Sequence, residues 1–146
     1  PDLSVLATEI SAPALALARR NAKALGIKLD FVEGDGLTPV LEIAPVDMIV
    51  SNPPYVPQEN IAGLEPEVRD HEPIDALCPG PDALRFYRLF AEEAPRYLTP
   101  EGWLLAELEA DLAEATAALF SSPDWRFVEL RRDMQGKYRF ICAQRA

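Results

Sequence analysis

Asp47-Met48-Ile49-Val50-Ser51-Asn52-Pro53-Pro54-Tyr55 is the stretch that decides how this chain folds. Val46 to Val50 is a nearly continuous apolar run, the pattern of a strand buried on both faces of a parallel sheet. The two prolines, which have no N–H to give to a ladder, stop it abruptly. The strand therefore delivers an amide, two rigid rings and a phenol to its carboxyl end. There the Asn52 side-chain oxygen and the neighbouring backbone carbonyl can both accept hydrogen bonds from one NH2 group. Such a pair orients a planar amino or amide nitrogen and aims its lone pair across the site, while the Tyr55 ring stacks on a flat group. The plainer alternative is a Pro-Pro strand terminator with asparagine as a turn residue.

Outward from that strand, apolar runs alternate with amphipathic ones. Upstream, Leu3 to Thr8 reads as a strand that meets Glu9, then a helix capped by Ser11 with Pro13 in its first turn. Leu15, Ala18, Ala22 and Leu25 form that helix's stripe and Gly26 its left-handed stop. Lys28 to Val32 is a second strand, closing on the turn Glu33-Gly34-Asp35-Gly36. Downstream, seven of the 14 prolines fall between Pro53 and Pro81, which forbids a regular helix or central strand and predicts a long ordered loop. Leu84, Tyr87, Ala91, Ala94 and Leu98 mark a helix face, with Pro95 kinking the last turn. Pro100-Glu101-Gly102 is a turn before a strand from Trp103 to Leu108. A helix over Ala110 to Phe120 follows, with Leu112, Ala115 and Leu119 inward, then strands over Arg126 to Leu130 and Tyr138 to Ala143.

Strands that alternate with helices imply an α/β fold, a mainly parallel sheet with helices on both faces. Ligands of such folds sit beyond the carboxyl ends of the strands. Glu9, Asp35 and Asn52 to Tyr55 all fall at those ends.

A chain of 146 residues, 49% of them hydrophobic, is expected to make one domain with one core. With 14 Lys and Arg against 24 Asp and Glu, the formal charge of −10 repels a phosphate backbone, which makes nucleic acid an unlikely partner. Cys78, Cys142 and the single His71 are too few for a disulfide framework or a metal cage, so no metal is expected and a reduced, cytoplasmic compartment is. Nothing in the sequence reads as a membrane span or a targeting signal.

Asn-Pro-Pro-Tyr after such a strand resembles the amino-methyltransferase motif of class I S-adenosylmethionine enzymes. Around it stand Glu9-Ile10-Ser11-Ala12-Pro13-Ala14-Leu15, Ala18-Arg19-Arg20-Asn21-Ala22, Val68-Arg69-Asp70-His71-Glu72-Pro73, Phe86-Tyr87-Arg88 and Arg132-Asp133-Met134-Gln135-Gly136-Lys137-Tyr138-Arg139. Together these resemble the release-factor glutamine N5-methyltransferases, which methylate the glutamine of the Gly-Gly-Gln loop of peptide chain release factors. The resemblance implies a Rossmann-like fold with S-adenosyl-L-methionine as cofactor and a release factor as protein substrate. It places Asn52, Pro53, Pro54 and Tyr55 in the catalytic clamp. Glu9, on the ribose hydroxyls, Asp35 and Gly36, beside the adenine, and Asn52 become cofactor contacts. The residues themselves leave plainer roles open, for Glu9 an acidic group favouring the next helix N-terminus and for Asp35 a simple turn.

The pattern departs from the family in three ways. Glu109 and Leu112 stand where the family commonly has Gly and Gln, and Pro81 and Ala83 interrupt a segment that is usually glycine-rich. The family's glycine-rich turn after its first strand has no counterpart, and the chain opens on Pro1-Asp2-Leu3 without an initiator Met. The expectation is a truncated catalytic domain, the C-terminal part of a longer enzyme that lacks its first strand, and whose second strand misses a neighbour. Two rivals remain open at this point: an amino-methyltransferase of adenine N6 or guanine N2 in nucleic acid, and a non-catalytic remnant of the fold.

Overall fold

The computed structural model describes residues 3–42 and 45–146, so Pro1 and Asp2 of the opening lie outside the described residues. The chain divides into two compact units, residues 1–44 and residues 45–146.

In the first unit, β1 (Leu6–Glu9), α1 (Ala12–Leu25) and β2 (Asp30–Glu33) form a strand–helix–strand in which the strands pair in parallel, Leu6 with Asp30 through Glu9 with Glu33. The local chemistry sets the helix ends. The Ser11 hydroxyl accepts from the Ala14 N–H, and Gly26 takes the left-handed cap at φ +67°. Both strands lie further along the chain than the apolar runs suggest, because Leu3 and Val5 are exposed and pairing opens with the Asp30 N–H on the Val5 carbonyl. The α1 stripe is also shorter than its spacing predicts. Leu15 and Ala22 are buried, whereas Leu25, in the last turn beside the cap, is 72% exposed. Gly34 is glycine for a steric reason, since a Cβ there would stand 2.4 Å from the Pro39 ring.

The second unit opens with β3 (Val46–Ser51). Its proline-rich segment does not stay irregular. It carries a 3-10 turn over Gln58–Gly63 and two one-turn helices, α2 (Pro66–Arg69) and α3 (Ile74–Leu77). Each begins at or just after a proline, Pro57, Pro66 or Pro73, where the fixed φ suits a first turn and the absent N–H costs nothing. Then come α4 (Arg85–Tyr97), β4 (Leu98–Glu107), α5 (Ala113–Leu119), β5 (Trp125–Arg132) and β6 (Tyr138–Arg145).

The strand order of this unit is β3-β4-β6-β5, with β3 parallel to β4 and β6 antiparallel to both β4 and β5. Strand β4 starts at Leu98, ahead of the expected Trp103. Val46 pairs with Leu98 and Met48 with Trp103, so the predicted Pro100-Glu101-Gly102 turn is folded into the strand as an irregularity opposite Asp47. Gly102 is required there, because a Cβ would lie 2.8 Å from the Thr99 carbonyl oxygen.

Helices α4 and α5 pack against each other and against β4, β5 and β6. They cover the sheet face that holds the buried residues Leu104, Ala106, Ile141 and Ala143. On the strands' alternate positions Met48, Val50, Phe127 and Phe140 are exposed. The inward face of α5 differs from its prediction. Ala113, Thr116 and Phe120 are buried, in place of Leu112, Ala115 and Leu119, because Ala110–Leu112 forms a 3-10 turn that shifts the helical phase by one residue.

Thr116 is fully buried and its hydroxyl has no hydrogen-bond partner among the described residues. A desolvated, unpaired hydroxyl costs stability that an isosteric methyl does not. Thr116→Val is therefore expected to stabilise the protein by about 0.5–1.5 kcal/mol. Urea unfolding checks this, and a loss of stability would mean that the hydroxyl is satisfied.

No helix among the described residues is long and apolar enough to cross a membrane.

Candidate active site

The end of β3 sets up the site. Asn52 is exposed, Pro53 is buried, and Pro54 and Tyr55 are half-buried. Among the described residues no group hydrogen-bonds the Asn52 side-chain amide. The chain beyond it is held by one carbonyl: the N–H groups of Tyr55 and Val56 both donate to Leu77 O, at 3.1 and 2.9 Å. Thus the first turn after the prolines is anchored on the end of α3.

The Tyr55 hydroxyl donates to Glu107 Oε1 at 2.7 Å. Strand register explains the meeting. Ser51 pairs with Ala106 in the parallel β3–β4 ladder, so the next residue of β4, Glu107, comes level with Asn52. The buried Tyr87 of α4 donates its hydroxyl to the Glu107 carbonyl oxygen at 2.8 Å. Arg139 of β6 lies close enough to act electrostatically on both Tyr55 and Glu107, and its Nε also reaches Asp133 Oδ2 at 3.4 Å. Burial, followed by the hydrogen bond to Glu107, pushes the Tyr55 phenol up to about 12. The phenol is therefore a neutral hydrogen-bond donor throughout the physiological range. Burial also raises the Tyr87 phenol.

Directly after Tyr55 the surface opens into a cleft of about 600 Å³, lined by Val56, Pro57, Asn60, Leu64 and Leu112 together with the carboxylates of Glu59, Glu109 and Asp111. Glu109 and Leu112, one of the departures from the family pattern, are thus both at its wall. One Glu109 oxygen accepts from the Ala110 N–H at 3.0 Å, at the start of the 3-10 turn.

In the first unit Glu9 ends β1 and Asp35 and Gly36 follow β2, at the carboxyl ends of the two parallel strands. Glu9 Oε1 accepts the Ser11 N–H at 2.7 Å, so one oxygen serves the start of α1, the plainer role open to it in the sequence. Gly36 adopts φ +56°, a left-handed conformation that suits glycine, and its carbonyl takes the Thr8 hydroxyl at 3.5 Å. Asp35 is exposed, and its carbonyl accepts the Thr38 N–H at 3.3 Å.

The second unit thus brings Asn52, Pro53, Pro54 and Tyr55 together with three residues to which the sequence reading gave no role in the site: Glu107, Tyr87 and Arg139. In the sequence Glu107 showed only as a carboxylate near the end of a strand, and Tyr87 and Arg139 as members of segments that carry the family resemblance. His71 is exposed and Cys142 is buried in the sheet, where burial raises its thiol.

The strand order with one reversed strand, and the asparagine and prolines at the carboxyl end of β3, are those of a class I methyltransferase. The family described as "Methyltransferase small domain" matches residues 1–64. A solved methyltransferase from Pyrococcus furiosus shares the fold, with a TM-score of 0.69 at 22% identity over 97% of this chain and 62% of that one. The protein-(glutamine-N5) methyltransferase (release factor-specific) of Alicyclobacillus acidocaldarius gives 0.56 at 25% identity, over 97% of this chain and 79% of that one. In sequence, the release factor glutamine methyltransferase of Nitratidesulfovibrio vulgaris is 45% identical over 99% of this chain and 50% of its own length. Along nearly its whole length the chain is similar to release factor glutamine methyltransferases, and it spans about half the length of the curated relatives it matches.

Proposed function

We propose that the protein carrying this chain transfers a methyl group from S-adenosylmethionine to the side-chain nitrogen of the glutamine in the Gly-Gly-Gln loop of a peptide chain release factor, in the cytoplasm. One observation carries the proposal: an exposed asparagine amide with no partner among the described residues, at a strand end followed by two prolines and a tethered tyrosine.

An amide nitrogen is a poor nucleophile because its lone pair is delocalised into the carbonyl. The Asn52 oxygen and the adjacent main-chain carbonyl accept its two N–H hydrogens and fix the plane in which it lies. The Tyr55 ring covers that plane. With the nitrogen held, most of the entropic cost of alignment is already met when reaction begins. With S-adenosylmethionine bound, the sulfonium methyl would pass to the nitrogen that Asn52 holds, the S–C electron pair would stay with the departing thioether, S-adenosylhomocysteine, and the proton given up by the nitrogen would go to solvent.

S-adenosylmethionine supplies, when bound, an electrophilic methyl on a positively charged sulfur. The residues at hand fit such a group: Glu9 offers carboxylate oxygens to ribose hydroxyls at a strand end, and Asp35, with the left-handed Gly36, offers an acceptor beside a purine amino group. The acidic balance of the chain favours a protein substrate over a phosphate backbone.

The test is a labelled-methyl transfer assay with the native gene product, offering a Gly-Gly-Gln-containing release factor, the same factor with that glutamine replaced by alanine, and DNA and RNA. Label on the first alone is the expected result. Label on nucleic acid and none on the release factor would replace this reading by the nucleic-acid one.

A further inference from the structure

The backbone at Glu107 is held from several sides. Its residue pairs with Phe140 across β4 and β6, its carbonyl takes the Tyr87 hydroxyl at 2.8 Å, and the following N–H, of Leu108, donates to Arg139 O at 3.0 Å. Tyr87 is itself wholly buried, so that clamp does not compete with water. By contrast, Tyr55 stands on a segment without strand pairing, tied through its own N–H to the Leu77 carbonyl alone. Its ring rotates about χ1 among staggered wells unless something selects one. The 2.7 Å bond from its hydroxyl to Glu107 Oε1 makes that selection across 52 residues of chain.

We infer that Glu107 is a positioning residue for methyl transfer, which fixes the Tyr55 ring against the plane of the substrate amide through the phenol hydroxyl, with Tyr87 holding the Glu107 backbone in place. Glu107 itself touches no substrate in this role. The hydroxyl of Tyr55 is then an anchor, and its ring is the part that meets the substrate. Because the phenol is displaced up to about 12, the anchor stays intact across the pH range in which a release factor is folded. The inference rests on the function proposed above.

Four variants of the native gene product test it: Glu107→Ala, Glu107→Gln, Tyr55→Phe and the double Tyr55→Phe/Glu107→Ala. The measurements are kcat and KM for release-factor methylation, and the ionisation of Tyr55 followed by absorbance at alkaline pH as the difference from Tyr55→Phe. Glu107→Ala and Tyr55→Phe are each expected to lower kcat roughly tenfold, with KM changed by less than about threefold. The double is expected to be no slower than the slower single, because both remove one bond. Glu107→Gln, whose amide oxygen still accepts from the phenol, should recover to within about threefold of the native rate. In Glu107→Ala the Tyr55 ionisation should move down from about 12 by part of its displacement, because burial, its larger cause, remains.

A native kcat in Tyr55→Phe, multiplicative losses in the double, or a Glu107→Gln as slow as the alanine variant would each overturn the inference. Should Glu107→Ala not fold, Tyr55→Phe and Glu107→Gln decide alone. Failure of the native protein to methylate any release factor would remove the proposed function and this role with it. Transfer that survives unchanged in all four variants would remove this role only.

Discussion

Asn52→Ala is expected to lower kcat for glutamine methylation by about 10²- to 10³-fold, the size seen when one preorganised hydrogen-bonding group is taken from a reaction centre. The same change should leave stability within about 0.5 kcal/mol, as is usual for an exposed side chain that holds nothing else. Both halves follow from one feature: the amide is exposed and no described residue uses it. Under the proposed function, deleting it would remove one of the two acceptors for the substrate NH2 and let the nitrogen turn out of line, while β3, Pro53 and the Leu77 anchor of Tyr55 stay as they are. Asn52→Asp keeps an oxygen in place and should lose less than the alanine variant. Steady-state kinetics alongside a urea melt separate the two effects. A large drop in stability, or a kcat within about threefold of the native value, would show that Asn52 ends a strand and nothing more.

The sequence was most informative where a feature depends on a few neighbouring residues. Ser11 and Gly26 cap α1 as their types require, and the apolar run ending in Pro53 and Pro54 is a strand that stops there. Features that depend on phase or distance were harder to read. The 3-10 turn Ala110–Leu112 moves the buried face of α5 from Leu112 and Ala115 to Ala113 and Thr116, a one-residue change that apolar spacing cannot resolve in a run rich in alanine. The prolines after Tyr55 exclude long elements, as expected, yet three of them, Pro57, Pro66 and Pro73, stand at the start of a short helical segment, because a fixed φ and a missing N–H are tolerated there and harmful in a helix interior. Half of the site was equally hidden. Asn52 to Tyr55 announces itself as a contiguous motif, whereas Glu107 reaches Tyr55 only through the register of a parallel ladder, and Tyr87 reaches Glu107 only through the packing of α4.

Pro95 illustrates how such long-range partners repair a local defect, and it leads to the second large effect. It lies inside α4, where a proline lacks the N–H that would bond the carbonyl four residues back. That carbonyl belongs to Ala91, and the Trp125 indole N–H donates to it at 3.0 Å from the start of β5. Trp125 is 6% exposed, and its ring meets Phe120 at 5.2 Å between centroids. It therefore fills the core under α4 and supplies the donor that Pro95 withholds. Trp125→Ala is expected to cost about 3–5 kcal/mol, the range for emptying a buried aromatic site. Trp125→Phe keeps most of the ring volume but orphans the Ala91 carbonyl, and should cost about 1–3 kcal/mol. The decisive comparison is with Pro95→Ala, which gives α4 back its own N–H. In that background the Trp125→Phe loss should shrink, since Ala91 then has a second donor, and the coupling appears as a double-mutant cycle in urea unfolding. Equal losses with and without Pro95 would mean that the tryptophan stabilises by packing alone.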